Sequence, residues 1–185
     1  MSTTATPTNT TGTWEIDPSH SQVGFTARHA MVTKVRGSFN DFEGTVVVND
    51  DDLASTQITV IIQAKSIDTR NEQRDGHLRS NDFLAMDEFP EITFVSTSVT
   101  PTDASGLDVT GDLTIKGITN TVRIPFSFEG TATDPFGNAR AGFEGAVTIN
   151  RKDYGVTWNA ALETGGVLVS EKITLEFDIS AIKQA

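Results

Sequence analysis

Apolar and polar side chains alternate with a period of two through much of this chain, and few folds accommodate such a pattern. Leu107, Val109, Gly111, Leu113 and Ile115 interleave with Asp108, Thr110, Asp112 and Thr114. Val122, Ile124, Phe126 and Phe128 interleave with Thr121, Arg123, Pro125 and Ser127. Phe143, Gly145, Val147 and Ile149 repeat the pattern, as do Ile173, Leu175, Phe177 and Ile179 against Thr174, Glu176, Asp178 and Ser180. Successive strand side chains point to opposite faces, so each segment has one greasy face and one wet face. A long set of such strands curls and closes until the greasy faces meet, which also removes exposed edges. What lies inside that closure decides the function: packed side chains, or a cavity with a guest.

Further strand-like segments fall at residues 14–16, 23–28, 39–48, 58–64 and 92–100. Turn-forming runs separate the strands, among them Asp17-Pro18-Ser19, Asn49-Asp50-Asp51-Asp52, Asp103-Ala104-Ser105-Gly106, Lys116-Gly117 and Gly165-Gly166. Strands joined by short turns favour an antiparallel meander over βαβ units. About eight strands are expected, the number at which a closed barrel either fills itself or holds one small ligand. Pro125 cannot donate to a ladder, so a bulge or local opening is expected there. Residues 70–86 break the alternation and are mostly polar. Within them Ser80-Asn81-Asp82 reads as a helix start before Phe83. A short helix over one mouth of the barrel and a solvated connection are both open for this stretch.

A chain of 185 residues forms one domain and buries roughly 70% of its unfolded surface. Residues 1–12 are half threonine and read as a disordered tail, with 13–185 as the folded domain. No basic start with an apolar stretch and no bilayer-length apolar run is present, so a cytoplasmic location without stable membrane insertion is expected. The absence of cysteine fits that setting and excludes disulfides and thiolate chemistry. A formal net charge of −11 argues against electrostatic attraction to nucleic acid or anionic membrane.

Phenylalanine occurs 11 times and tyrosine once, so most aromatic bulk carries no polar handle. Phe126, Phe128, Phe143 and Phe177 fall on inward registers, where they suit a hydrocarbon pocket or a filled core equally well. His20, His29 and His77 come from separate segments, without the spacing of a zinc site. There is no nucleophile elbow, P-loop or dinucleotide fingerprint, and no acid/base dyad stands out. No catalytic residue, metal ligand or cofactor is assigned on these grounds.

Several motifs run in order along the chain. They are Trp14-Glu15-Ile16-Asp17-Pro18-Ser19-His20-Ser21, then Val23, Phe25, Arg28-His29 and Arg36-Gly37-Ser38-Phe39. Ser66-Ile67-Asp68-Thr69, Arg74-Asp75-Gly76-His77-Leu78-Arg79 and Asp82-Phe83 follow. Phe89-Pro90-Glu91-Ile92-Thr93-Phe94, Gly111-Asp112-Leu113-Thr114-Ile115-Lys116-Gly117 and Asn150-Arg151-Lys152-Asp153-Tyr154-Gly155 complete the set. Together they resemble the YceI-like family over nearly the whole chain after the tail. The resemblance implies an all-β fold, an eight-stranded antiparallel lipocalin-like barrel with a short helical segment near one mouth. It also implies non-enzymatic binding, storage or transport of a long amphipathic lipid, chiefly an isoprenoid quinone or polyprenyl phosphate. The best known members carry a secretion signal, from which this chain departs.

The resemblance tips the interior toward a cavity. Phe25, Phe39, Leu113, Phe126, Phe128, Phe143, Val147 and Phe177 are then expected to meet the tail. His20, His29, Arg74 and His77 are the candidates for the headgroup at the mouth. The expected partner is a hydrophobic small molecule rather than nucleic acid, and a homodimer is compatible with this reading. The competing reading is a lipid-modifying or metal-assisted enzyme, which requires His20, His29 and His77 to converge. A third is a solid barrel with a structural role.

Overall fold

The alternating segments pair into one antiparallel sheet that closes on itself. The computed structural model describes residues 9–102 and 105–185. Its strands are β1 (Gly12–Ile16), β2 (Gln22–His29), β3 (Thr33–Phe39), β4 (Phe42–Val48), β5 (Gln57–Gln63) and β6 (Ile67–Asp68). The helix α1 (Glu72–Arg79) precedes β7 (Glu91–Pro101), β8 (Gly106–Ile115), β9 (Ile118–Thr133), β10 (Ala139–Asn150) and β11 (Lys172–Lys183). The first six segments are halves of three bent strands. A turn of 3-10 helix at Pro18–His20 joins β1 to β2, Asn40 and Asp41 join β3 to β4, and a turn at Ala64–Ser66 joins β5 to β6. Eight strands therefore form the wall, and β11 closes it by pairing with both β1 and β2.

The bent second strand differs from the single run expected over 39–48. Residues 33–38 belong to it too, but their inward positions include Gly37, which hides the alternation. Glycine is required there, because a Cβ would sit 2.4 Å from the Phe25 ring. Pro125 lies opposite Asp108 of β8. On its other side β9 pairs with β10 only as far as Phe126, opposite Gly145, so the expected local opening is present. The bulge of this strand pair falls instead at Glu129, between the pairs Phe143–Phe128 and Gly142–Gly130.

The helix lies earlier than Ser80-Asn81-Asp82 suggested. Asn71 caps its start, its side chain accepting from the Arg74 N–H at 2.9 Å. Ser80 ends it, the hydroxyl donating to the His77 carbonyl at 2.6 Å. The helix has no strong apolar stripe and is attached by polar contacts. Buried Asp75 accepts from the Thr69 N–H at 2.9 Å. Arg74 donates to the Thr69 hydroxyl and carbonyl, both at 2.7 Å. Arg79 donates to the carbonyls of Lys65 and Ile67.

Of the tail expected over 1–12, residues 1–8 lie outside the described residues, as do Asp103 and Ala104 of the turn before β8. Gly12 already belongs to β1, and the N–H groups of Thr10 and Thr11 donate to Asp50 at 2.7 and 3.0 Å. The ordered domain thus begins before residue 13. Among the described residues no helix is long and apolar enough to cross a membrane.

Candidate ligand-binding cavity

Most side chains that face into the barrel keep accessible surface. Phe126, Phe128, Leu175 and Phe177 are only half-buried although their register points inward. In a solid core such residues are fully enclosed. Their free side opens onto a cavity of about 640 Å³, within the range of small-molecule sites. It reaches from Leu78 and Phe83, beside α1, to Leu53 and Pro101 at the opposite end. Ten residues of β8, inclined as barrel strands are, give the wall a height of about 25 Å.

Aromatic rings form much of the wall in pairs: Phe25 with Phe39, Phe126 with Phe177, and Phe128 with Phe143, at 5.8, 5.9 and 5.3 Å between centroids. Gly145 lets the Phe126 ring lie flat across β10, since a Cβ there would stand 2.6 Å from Cδ1. Seven of the residues expected to meet a lipid tail line this space: Phe25, Phe39, Leu113, Phe126, Phe128, Phe143 and Phe177. Val147 does not; it is half-buried and packs against the main hydrophobic core.

None of the four headgroup candidates lines the cavity. His20 sits on the 3-10 turn with Nδ1 at 2.7 Å from Asp17 Oδ2 and 3.0 Å from the Ser19 hydroxyl. His29 is exposed at the end of β2, bridged through its backbone to Val169. His77 is edge-on to Phe83 and Trp158, at 5.0 and 4.7 Å, with Nε2 at 2.9 Å from Asp82 Oδ2. Arg74 is spent on Thr69. His20, Arg74 and His77 have polar partners close to their own segments, and His29 is held through its backbone, so they face outward or anchor a loop. The histidines occupy three elements with separate partners, and the convergence needed for a histidine-centred enzyme is not formed. Among the described residues no three His, Asp or Glu side chains are grouped as metal ligands.

The polar residues that do border the cavity carry no role assigned from sequence. At the end covered by residues 155–171, Arg151 is 5% exposed and donates to four carbonyls. They are Ser170 at 2.8 Å, Val156 at 2.8 Å, Trp158 at 2.9 Å and Val169 at 3.3 Å. Burial pulls its pKa down, against the pull of Glu171. Arg151 thus stitches the covering loop onto the barrel. Tyr154, 2% exposed, lines the same end, and its hydroxyl has no hydrogen-bond partner among the described residues. Burial pushes its pKa up, against the pull of the Asn120 side chain, so the hydroxyl is neutral; it has no accessible surface toward the cavity. The available signal was its being the single tyrosine among so many phenylalanines. At the opposite end Thr10, Asp50, Thr56, Thr102 and Ser105 border the cavity. The Thr10 hydroxyl, with the Thr10 and Thr11 N–H groups, holds the Asp50 carboxyl below its usual range against its partial desolvation.

Comparison with known proteins agrees with this architecture. The model of the YceI-like domain matches residues 14–181. The UPF0312 protein SAS2572 of Staphylococcus aureus (strain MSSA476) is 44% identical over 161 residues, covering 86% of this chain and 91% of that protein. Burkholderia cenocepacia BcnA superposes with a TM-score of 0.78 at 23% identity, over 89% of this chain and 98% of BcnA. A polyisoprenoid binding domain from Saccharophagus degradans, implicated in plant cell wall breakdown, superposes with a TM-score of 0.72 at 12% identity, over 92% and 98%. The two superpositions speak to the fold, while the domain match and the staphylococcal relative span nearly all of the ordered chain. The chain belongs to the YceI-like family.

Proposed function

We propose that this protein binds, and stores or carries, a long-chain amphipathic lipid, with an isoprenoid quinone or polyprenyl derivative as the leading class. The observation that carries this reading is the cavity through the barrel, walled by hydrocarbon along its length and polar only at its ends. A tail that buries several hundred Å² of apolar surface gains on the order of 10 kcal/mol at about 25 cal/mol per Å². Association and ordering of the tail take part of this back. The polyisoprenoid-binding description of the Saccharophagus degradans domain supports the choice of lipid class.

Binding without chemistry is the mechanism. The tail leaves water for the barrel interior, and exchange is set by opening at an end. Protein purified without detergent, extracted with organic solvent and examined by mass spectrometry, is expected to yield an isoprenoid lipid in near-stoichiometric amount. A clean extract, together with no saturable binding of added quinone or polyprenol, would overturn the proposal.

A further inference from the structure

The net charge of −11 is unevenly placed. Arg28, Lys34 and Arg36 stand on the outward register of β2 and β3, with Arg28 directly opposite Lys34 and Arg36 opposite Thr26. On the other side of β2, Thr174 of β11 stands opposite Thr26, and the Arg28 N–H donates to the Ser170 hydroxyl at 2.9 Å. All three cations are exposed, and none forms a salt bridge among the described residues. Like charges directly opposite each other across a sheet are destabilising, so folding gives no reason for this cluster.

The hairpin between these cations ends in an apolar tip. The chain turns through Ala30 and Met31 with φ of 49° and 63°, a mirror-image turn that glycine or asparagine ordinarily supplies. Two non-glycine residues in the left-handed region cost backbone energy. The turn presents Met31 at 60% and Val32 at 74% exposure, with Val167 at 37%. Met31 lies against Gly166, so hairpin and covering loop form one patch. Glu163 is the only acidic residue of the covering loop between Tyr154 and Ser170. At the far end of the barrel, Asp50, Asp51 and Asp52 after β4 and Asp134 after β9 concentrate negative charge.

We infer that the β2–β3 hairpin is a docking tip for an anionic lipid bilayer. Met31, Val32 and Val167 enter the boundary between headgroups and acyl chains while the surrounding cations meet the phosphates. The acidic far end is repelled and points away. This attitude brings the end of the cavity near Ala27 and Val169 to the membrane. The net negative charge does not oppose it, because screening confines surface electrostatics to roughly 10 Å. The inference goes beyond the lipid-carrier reading and stands on the outer surface alone.

The test is co-sedimentation of the full chain with phosphatidylcholine vesicles, with and without phosphatidylglycerol. Binding is expected only with phosphatidylglycerol and is expected to fall as salt rises. Lys34→Gln/Arg36→Gln should weaken partitioning roughly 25-fold, at about fivefold per cation. Met31→Ser/Val32→Ser should weaken it about tenfold or more. Both double variants alter exposed positions, and their circular dichroism should match the parent. Equal binding to neutral vesicles, indifference to salt, parental binding by either folded variant, or no vesicle binding at all would overturn the inference; the last result with capture of an acidic protein would reassign the patch. Quinone binding, read by tryptophan fluorescence, is expected to be unchanged in both variants. Vesicle binding without any quinone or polyprenol binding would remove the carrier reading and leave the docking tip standing.

Discussion

Replacing Phe126 by alanine in lipid-free protein measures how much of that ring is surrounded by protein. One side of the ring lies over Gly145 and approaches Phe177, while the other opens onto the cavity. In a packed core Phe→Ala costs roughly 3–5 kcal/mol. A face without partner atoms has few contacts to lose, so about half of that, roughly 1.5–2.5 kcal/mol, is expected here. Phe42 supplies an internal control, being 5% exposed and not part of the cavity wall. Phe42→Ala should cost the full 3–5 kcal/mol expected of a core truncation, about twice the Phe126→Ala value. Urea unfolding followed by tryptophan fluorescence reads both variants, with unchanged m values identifying a change in stability alone. Added quinone should then raise the midpoint of the parent more than that of Phe126→Ala, because ligand stabilisation follows affinity. Equal losses for Phe126→Ala and Phe42→Ala in delipidated protein would mean that the interior is packed, not hollow.

Tyr154→Phe should leave the stability of lipid-free protein unchanged or slightly raised, because it removes a buried hydroxyl without a protein partner. The same change should leave quinone affinity within about twofold of the parent in a fluorescence titration, since the hydroxyl has no surface toward the cavity and one neutral hydrogen bond would be worth about two- to tenfold; a destabilised lipid-free variant would contradict the unpaired hydroxyl. Arg140 donates to Asp17 at 2.8 Å and to Asp134 at 2.7 Å. It is the leading cause holding the Asp17 carboxyl well below the usual range, while at Asp134 the Asn138 N–H leads and Arg140 follows. Depressed carboxylates stabilise fully above their unfolded pKa, near pH 4, and progressively less as pH falls below it. The loss from Arg140→Gln should therefore be greatest near neutrality and shrink below about pH 4; a loss constant down to pH 2 or so, in urea titrations across pH, would refute the linkage.

The barrel and its inner face were legible in the sequence because both rest on local rules. A period of two assigns faces without reference to distant residues, which is why Phe126, Phe128, Phe143 and Phe177 could be turned inward before any coordinates. The rule weakens where an inward position is glycine. At Gly37 the missing side chain is supplied from the neighbouring strand by Phe25, so β3 carries no readable alternation. Helix placement failed for a related reason. Asn71 and Ser80 are both good capping residues, and Asp75 and Arg74 reaching Thr69, just past β6, decide between them.

Tertiary structure alone decided whether the barrel is hollow and which polar atoms border the cavity. Alternation reads the same whether a phenylalanine packs on protein or on a guest, since both are apolar neighbours. The polar end of the cavity depends on Arg151, whose acceptors lie as far along the chain as Ser170. The cationic face depends on strand register, which sets Arg28 opposite Lys34 with Arg36 two residues along on the same face. Net charge sums over the whole chain, whereas a membrane or a ligand meets only the charges within a screening length, and only the closed fold determines which charges those are.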